Sequence, residues 1–286
     1  MRLFLLISVT MLAFAGNSVL TRVAVAAGDA GPSSFAMVRL MAGAAILLIL
    51  LGWRNRRHLQ PRWRPAGAAM LALYVVGFSL AYRWLDAGLG ALVLFGVVQL
   101  VMFAGALMRG EYVAPLRYAG AVLAMAGLAV LVWPQGVAAP DPLGTAMMAA
   151  AGLGWGMYSL RGQGVADPLV DTTWSFVWAV PAGVALFLAW PDGMTSRGFI
   201  LAVLSGAVMS GLGYALWYQV LPRIAASTAA LAQLTVPVIA QAGGSLFLSE
   251  PLSLRFALAA ALVLGGVALG LRARRVKSPH APGQRH

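Results

Sequence analysis

Ten unbroken stretches of mostly apolar residues, each about 20 residues long, set what this chain can fold into. They run at about 3–23, 34–53, 66–85, 88–108, 114–133, 142–162, 170–190, 198–221, 225–248 and 254–272. A helix of roughly 20 residues crosses the hydrocarbon core of a bilayer. Only helices and closed barrels satisfy every backbone N–H and C=O group there. Barrel strands would alternate apolar and polar residues over about ten positions, whereas these runs are continuous and twice as long. Composition agrees: 61% of the 286 residues are apolar and 10% charged, against about 45–50% and 25% in a soluble domain. The expected fold is an all-α membrane protein with ten transmembrane helices.

Basic residues orient those helices. With both termini on the cytoplasmic side, Arg22, Arg39, Arg83, Arg197 and Arg255 fall outside and the other fifteen Lys and Arg fall inside. That is a strong positive-inside bias. The net charge of +12 therefore sets orientation in a bacterial-type inner membrane and attracts lipid; it is no nucleic-acid footprint. The first stretch opens like a secretory signal, with Arg2 before Leu3–Ala15. No small-residue cleavage region follows, and the apolar run continues to Val25, so it reads as a retained helix. Residues 274–286 read as a disordered cytoplasmic tail.

The two halves also match each other. At an offset of 136, Gly77 falls on Gly213, Phe78 on Tyr214 and Tyr82 on Tyr218. At 139, Leu92 falls on Leu231, Gly105 on Gly244 and Glu111 on Glu250. Residues 1–136 and 137–273 are thus expected to be two repeats. Each holds five helices, an odd number, so the second inserts upside down. Inverted repeats place a substrate site near the midplane between them.

Several motifs carry a family resemblance. They are Ser34-Phe35-Ala36-Met37-Val38-Arg39-Leu40 in the second helix and Arg109-Gly110-Glu111 after the fourth, then Ala229-Ala230-Leu231 with Pro237 in the ninth and Glu250-Pro251 after it. In this order, over essentially residues 3–272, the chain resembles the drug/metabolite transporter superfamily, EamA type. It departs from the pattern at Val98, where the second half has Pro237, and in lacking a counterpart of Arg39 in the seventh helix. The resemblance implies that helices 1–4 and 6–9 surround a central cavity, with 5 and 10 outside it. Among characterised members it is most similar in spirit to the YddG-type amino-acid exporters.

Enzyme chemistry finds little to work with. There is no cysteine, no GxxxxGK[ST], HExxH or GxSxG, and His58, His280 and His286 all lie outside the apolar stretches. No cofactor or metal site is expected. All eight acids sit at helix ends or in loops, so a carboxylate proton relay has no support. Glu111 and Glu250 read as caps for the following helices.

Polar and aromatic residues inside the stretches are the candidate substrate site. Tyr74, Phe78 and Tyr82 recur every four residues along one helical face, and Tyr214 with Trp217 occupies the related position in the second half. Gln99 lies mid-helix in the fourth stretch and Gln233 in the ninth; Asn17, Trp155 and Tyr158 occupy repeat-related neighbourhoods. The alternatives are plain helix packing, interfacial aromatic belts and interhelical hydrogen bonds. Pro237 is the candidate hinge, because a proline frees a carbonyl and permits bending. Arg39 lies near the outer helix end, from which a long side chain can snorkel; structural anchoring and attraction of an anion at the outer mouth are the two readings. Gly120 with Ala124 and Gly266 with Gly270 mark helices five and ten as scaffold or a dimer face.

Taken together, these features point to a secondary transporter exporting a small amphipathic or zwitterionic solute, an aromatic or hydrophobic amino acid first, as a monomer or homodimer. Other metabolites, drugs, lipid translocation or an assembly role are the alternatives.

Overall fold

The computed structural model describes residues 1–54, 59–85, 87–132, 141–248 and 254–272. Twelve α-helices account for most of them: α1 (Arg2–Ala26), α2 (Pro32–Arg54), α3 (Pro65–Ala81), α4 (Ala87–Met108), α5 (Pro115–Val132), α6 (Pro142–Gly162), α7 (Pro168–Ala189), α8 (Ser196–Leu204), α9 (Gly213–Val220), α10 (Ala226–Gln233), α11 (Thr235–Leu248) and α12 (Leu254–Arg272). A π-helical segment, Ser205–Leu212, joins α8 to α9, so Ser196–Arg223 is one continuous rod. Among the described residues, four helices are long and apolar enough to cross a membrane: Arg2–Val25, Pro32–Arg54, Pro168–Ala189 and Ser196–Arg223. Pro65–Ala81, Val93–Met108 and Ala257–Arg272 are shorter apolar helices.

Local chemistry fixes the helix ends. Proline opens α2, α3, α5, α6 and α7, where its missing N–H would be unpaired in any case. Asp141, Asp167 and Thr195 accept from the backbone N–H of Gly144, Val170 and Gly198 at 2.7, 3.2 and 3.1 Å, so three N-termini are capped by side chains. Gly110, at φ +69°, ends α4: its N–H donates to Leu107 and that of Glu111 to Ala106. This 5→2 and 6→1 pair needs a left-handed residue, which only glycine adopts without strain.

Two boundaries differ from the sequence reading. The third helix stops at Ala81, and Tyr82 is its C-cap in a following turn, so Tyr74 and Phe78 share a helical face but Tyr82 leaves it. The ninth stretch is two helices, parted at Leu234. Pro237 is the physical reason. It cannot donate to the Gln233 carbonyl four residues back, and its ring crowds that carbonyl. Pro237 itself lies in the first turn of α11. The expected tail, Asp86 and Glu250 lie outside the described residues.

The core gathers α1–α4 with α6, α7, α9, α10 and α11, and Ala124 of α5 and Val263 and Val267 of α12 join it. Helix α3 packs on α6, α2 on α7, α4 on α6 and α10, and α1 on α11 and on the Ser196–Arg223 rod. Helices α5 and α12 pack chiefly on each other. A Cβ built on Gly120 would stand 2.5 Å from the Gly266 carbonyl oxygen, and one on Gly266 would stand 2.5 Å from that of Gly120. The small residues of these helices are thus spent on a backbone approach within the chain.

Gly266→Leu should force α5 and α12 apart and lower membrane abundance several-fold. Gly265→Leu, at a position with nothing within 4 Å, should leave it unchanged. Quantitative immunoblotting of membranes checks both.

Candidate functional site

Aromatic side chains from both halves of the chain close around a small interior cavity. Its wall is built from Phe14 and Asn17 of α1, Tyr74 and Phe78 of α3, Phe95 of α4, Trp155 of α6, Tyr214 of α9 and Val236 of α11. The volume is about 20 Å³, room for roughly one water, so in this conformation the cavity is closed to a solute. Trp155 is the hub. Its ring centroid lies 5.1 Å from Phe14, 5.1 Å from Tyr74 and 4.6 Å from Tyr214, within the range of favourable aromatic pairs.

Four of the nine residues expected from the sequence, Asn17, Phe78, Trp155 and Tyr214, line this cavity. Gln233 stands one layer behind it. Its Oε1 accepts from Trp155 Nε1 at 2.6 Å, which sets the indole plane, and its Nε2 approaches the Met102 sulfur. Tyr158 is stacked on the far side of Trp155, with ring centroids 5.9 Å apart. Trp217 is fully buried and donates to Ser159 Oγ at 3.1 Å. Gln99 donates to the Ala230 carbonyl at 3.0 Å and thereby ties α4 to α10. Tyr82 meets the Phe78 ring edge-on at 4.9 Å. These five residues are packed around the cavity without forming its wall.

Sequence reasoning placed Arg39 at the membrane surface. Arg39 does not snorkel: it is 1% exposed, and its side chain runs inward. Nε donates to Ser210 Oγ at 2.9 Å, and Nη2 donates to Tyr74 OH at 3.2 Å and to Tyr214 OH at 2.6 Å. The guanidinium carbon stands 5.4 Å from the Tyr74 ring centroid and 5.8 Å from that of Phe78. The cavity wall is therefore backed by a cation. The usable signal was Arg39 itself, an ionisable residue inside an apolar stretch; distance along the helix does not say which way it points.

The π-helical segment helps to build this arrangement. Residues five apart on an α-helix are turned about 140° from each other, whereas a π-turn brings them close to one face. Ser205 donates to Asn17 Oδ1, and Ser210 accepts from Arg39. Gly206 allows the contact: a Cβ there would fall 2.3 Å from the Arg39 carbonyl oxygen.

The model of the EamA-like transporter family matches residues 1–133 and 142–272. This chain belongs to that family. It is a multi-pass membrane protein of a transporter family, and no enzymatic role attaches to that family. An uncharacterized Pseudomonas aeruginosa protein is 43% identical over 275 residues, covering 96% of each chain. An uncharacterized transporter of Archaeoglobus fulgidus is 24% identical over 233 residues, covering 80% of this chain and 83% of its own. A crystal structure with 20% identity shares the fold at a TM-score of 0.75, over 93% of this chain and 98% of that one.

In this EamA-like chain the described acids stay at the helix ends, each with a partner. Glu111 does cap a helix, but a distant one: it accepts from Ala226 N at 2.9 Å and from Ser227 Oγ, and it pairs with Arg117 at 3.4 Å. Asp171 receives Arg161 and Arg64, both at 3.1 Å. At the opposite end of α2, Asp192 accepts from the backbone N–H groups of Ser33 and Ser34, both at 2.8 Å, and from Ser33 Oγ at 2.5 Å. Burial alone would raise the Asp192 carboxyl, but hydrogen bonds from the Ser33 and Ser34 side chains and backbones outweigh it and hold it below the usual carboxylate range.

A depressed carboxyl stabilises the fold above its unfolded pKa and loses that contribution as pH falls through the folded value. Asp192→Asn should therefore lower the melting temperature at neutral pH. The gap to the parent protein should close in acid below the ordinary carboxylate range, as read by thermal melts across pH.

Proposed function

We propose that this protein is a secondary transporter of the bacterial inner membrane that exports small amphipathic solutes, aromatic or hydrophobic amino acids first, by alternating access. Both termini face the cytoplasm, and ten membrane-crossing helices form two inverted five-helix repeats. The observation that carries this reading is the closed aromatic cavity lined from both halves. Ring faces suit an apolar side chain, and the Asn17 amide and the tyrosine hydroxyls suit a polar backbone.

The helix contacts support the repeat. Exchanging α1 with α6, α2 with α7, α3 with the Ser196–Arg223 rod, α4 with α10–α11 and α5 with α12 turns the main contacts into one another. The packing of α3 on α6 becomes that of the rod on α1, and α4 on α6 becomes α11 on α1. The α2·α7, α4·α10 and α5·α12 pairs map onto themselves. The family model also matches two stretches of near-equal length.

A second reading rests on an apolar groove of about 660 Å³ between α1, the π-helical segment and α11, lined by Leu12, Gly16, Val19, Met209 and Ile239. A groove of this kind suits an acyl chain and favours lipid translocation.

Reconstituted protein should exchange labelled L-phenylalanine in saturable counterflow, with no flip of labelled lipid; lipid flip without amino-acid counterflow would select the second reading. Because the described acids lie at the helix ends, counterflow should persist when an ionophore collapses the pH gradient. Trp155→Leu and Phe78→Leu should each lower it several-fold at unchanged membrane abundance. Trp53→Leu, at a side chain 82% exposed, should leave it intact.

A further inference from the structure

A buried guanidinium in a membrane protein normally sits against a carboxylate, because separating the charge from water without a counter-charge is expensive. Arg39 has none among the described residues. Its acceptors are three neutral hydroxyls, of Ser210, Tyr74 and Tyr214, and its Nη1 has no hydrogen-bond partner among the described residues. Hydroxyls satisfy N–H groups, and ring faces add cation–π attraction. Neither supplies negative charge.

The position of the charge matters as much as its isolation. Three of the side chains that Arg39 touches, Tyr74, Phe78 and Tyr214, are themselves cavity wall. The Tyr74 hydroxyl accepts from Arg39 Nη2 and also from Tyr214 OH at 3.4 Å, which leaves its own hydrogen to be donated into the cavity. A planar fork with an unused nitrogen, fronted by a phenol in this state, is a receptor for a planar anion.

We propose that the cavity takes solutes through an anionic group, a carboxylate, held by Arg39 with Tyr74 and Tyr214. In the closed conformation the two phenol hydroxyls stand on the guanidinium. As the cavity widens, one carboxylate oxygen takes the unused Nη1 and the other displaces a phenol hydroxyl from Nη2, or accepts from it. This inference rests on the reading of the cavity as the solute site and names the charge of its ligand.

The test uses a matched pair of probes on purified protein: 3-phenylpropionate, which carries a carboxylate, and 3-phenylpropanamide, its neutral isostere. Affinities come from ligand-dependent thermal shifts. The parent protein should bind the acid at least tenfold more tightly than the amide. Arg39→Gln should bring the two within about twofold of each other. Tyr74→Phe removes one hydroxyl without touching the charge, and should weaken acid binding severalfold and amide binding by less, so that the acid preference falls, while the yield of monodisperse protein stays unchanged. That second variant decides the matter if Arg39→Gln does not fold. Equal binding of acid and amide by the parent protein, binding of neither, or undiminished acid preference in Arg39→Gln or Tyr74→Phe overturns the proposal. Acid-selective binding that depends on Arg39, with no counterflow of phenylalanine, would keep the anion site and discard the amino-acid exporter.

Discussion

A guanidinium buried in an apolar bundle has to draw oxygen to itself, and Arg39 does so by fixing three other chain segments around α2. Its bonds reach Tyr74 on α3, Ser210 on the π-helical segment and Tyr214 on α9. Each partner sits there for a local reason. The widened π-turn aims Ser210 inward, and Gly206 lets its backbone lie against that of Arg39. Gly43 does the same service one turn along α2, where a Cβ would fall 2.5 Å from the Phe176 ring. Core packing and polar satisfaction therefore converge on one face of α2, and the cavity wall is the other side of that convergence.

The helical architecture was legible because the membrane imposes it. A run of 20 apolar residues has no other way to satisfy its backbone, and the prolines at 32, 65, 115, 142 and 168 announce helix starts at the positions they occupy. Four cavity residues were legible because aromatic and polar side chains inside such runs are conspicuous. What stayed hidden depends on which way a side chain points or on a partner far along the chain. The depth of Arg39 along α2 suggested the outer interface, but its azimuth turns it into the core. Glu111 reads as a cap for the helix that follows it, yet the left-handed turn at Gly110 carries its carboxylate to the N-terminus of α10, 115 residues away in sequence. The π-helical segment has no proline and only a Ser- and Gly-rich composition to mark it. Its shape follows from the demands of Asn17 and Arg39.

Pro237 acts upstream of its own position. By leaving the Gln233 carbonyl without its helical donor, it parts α10 from α11 at Leu234, and Gln233 is the residue that holds the Trp155 indole. The break and the aromatic hub are thus joined by one hydrogen bond. On the opposite wall, the π-helical segment holds Asn17 through Ser205. Each wall carries a departure from regular helix directly behind a cavity side chain, which is where a bend would change the cavity most with the least repacking of the helix ends.

The polar atoms behind the cavity are already committed in the closed state: Trp155 to Gln233, Asn17 to Ser205, and Tyr214 to Arg39. Leaving any of them unpaired in a dry interior would cost about 1–3 kcal/mol, whereas exchanging one partner for another is close to neutral. For a carrier that asymmetry is useful. A wall of unpaired groups would bind a solute tightly and hold it, while a wall whose members trade internal partners for solute atoms binds at a modest net gain. The closed and solute-bound states can then lie close in free energy, as a ligand-driven shift between two conformations requires. Arg39 is the exception, since hydroxyls return no charge to it. The one contact in this cavity whose exchange is not neutral is therefore the one at the guanidinium, and it is there that the proposed solute distinguishes itself from water and from uncharged competitors.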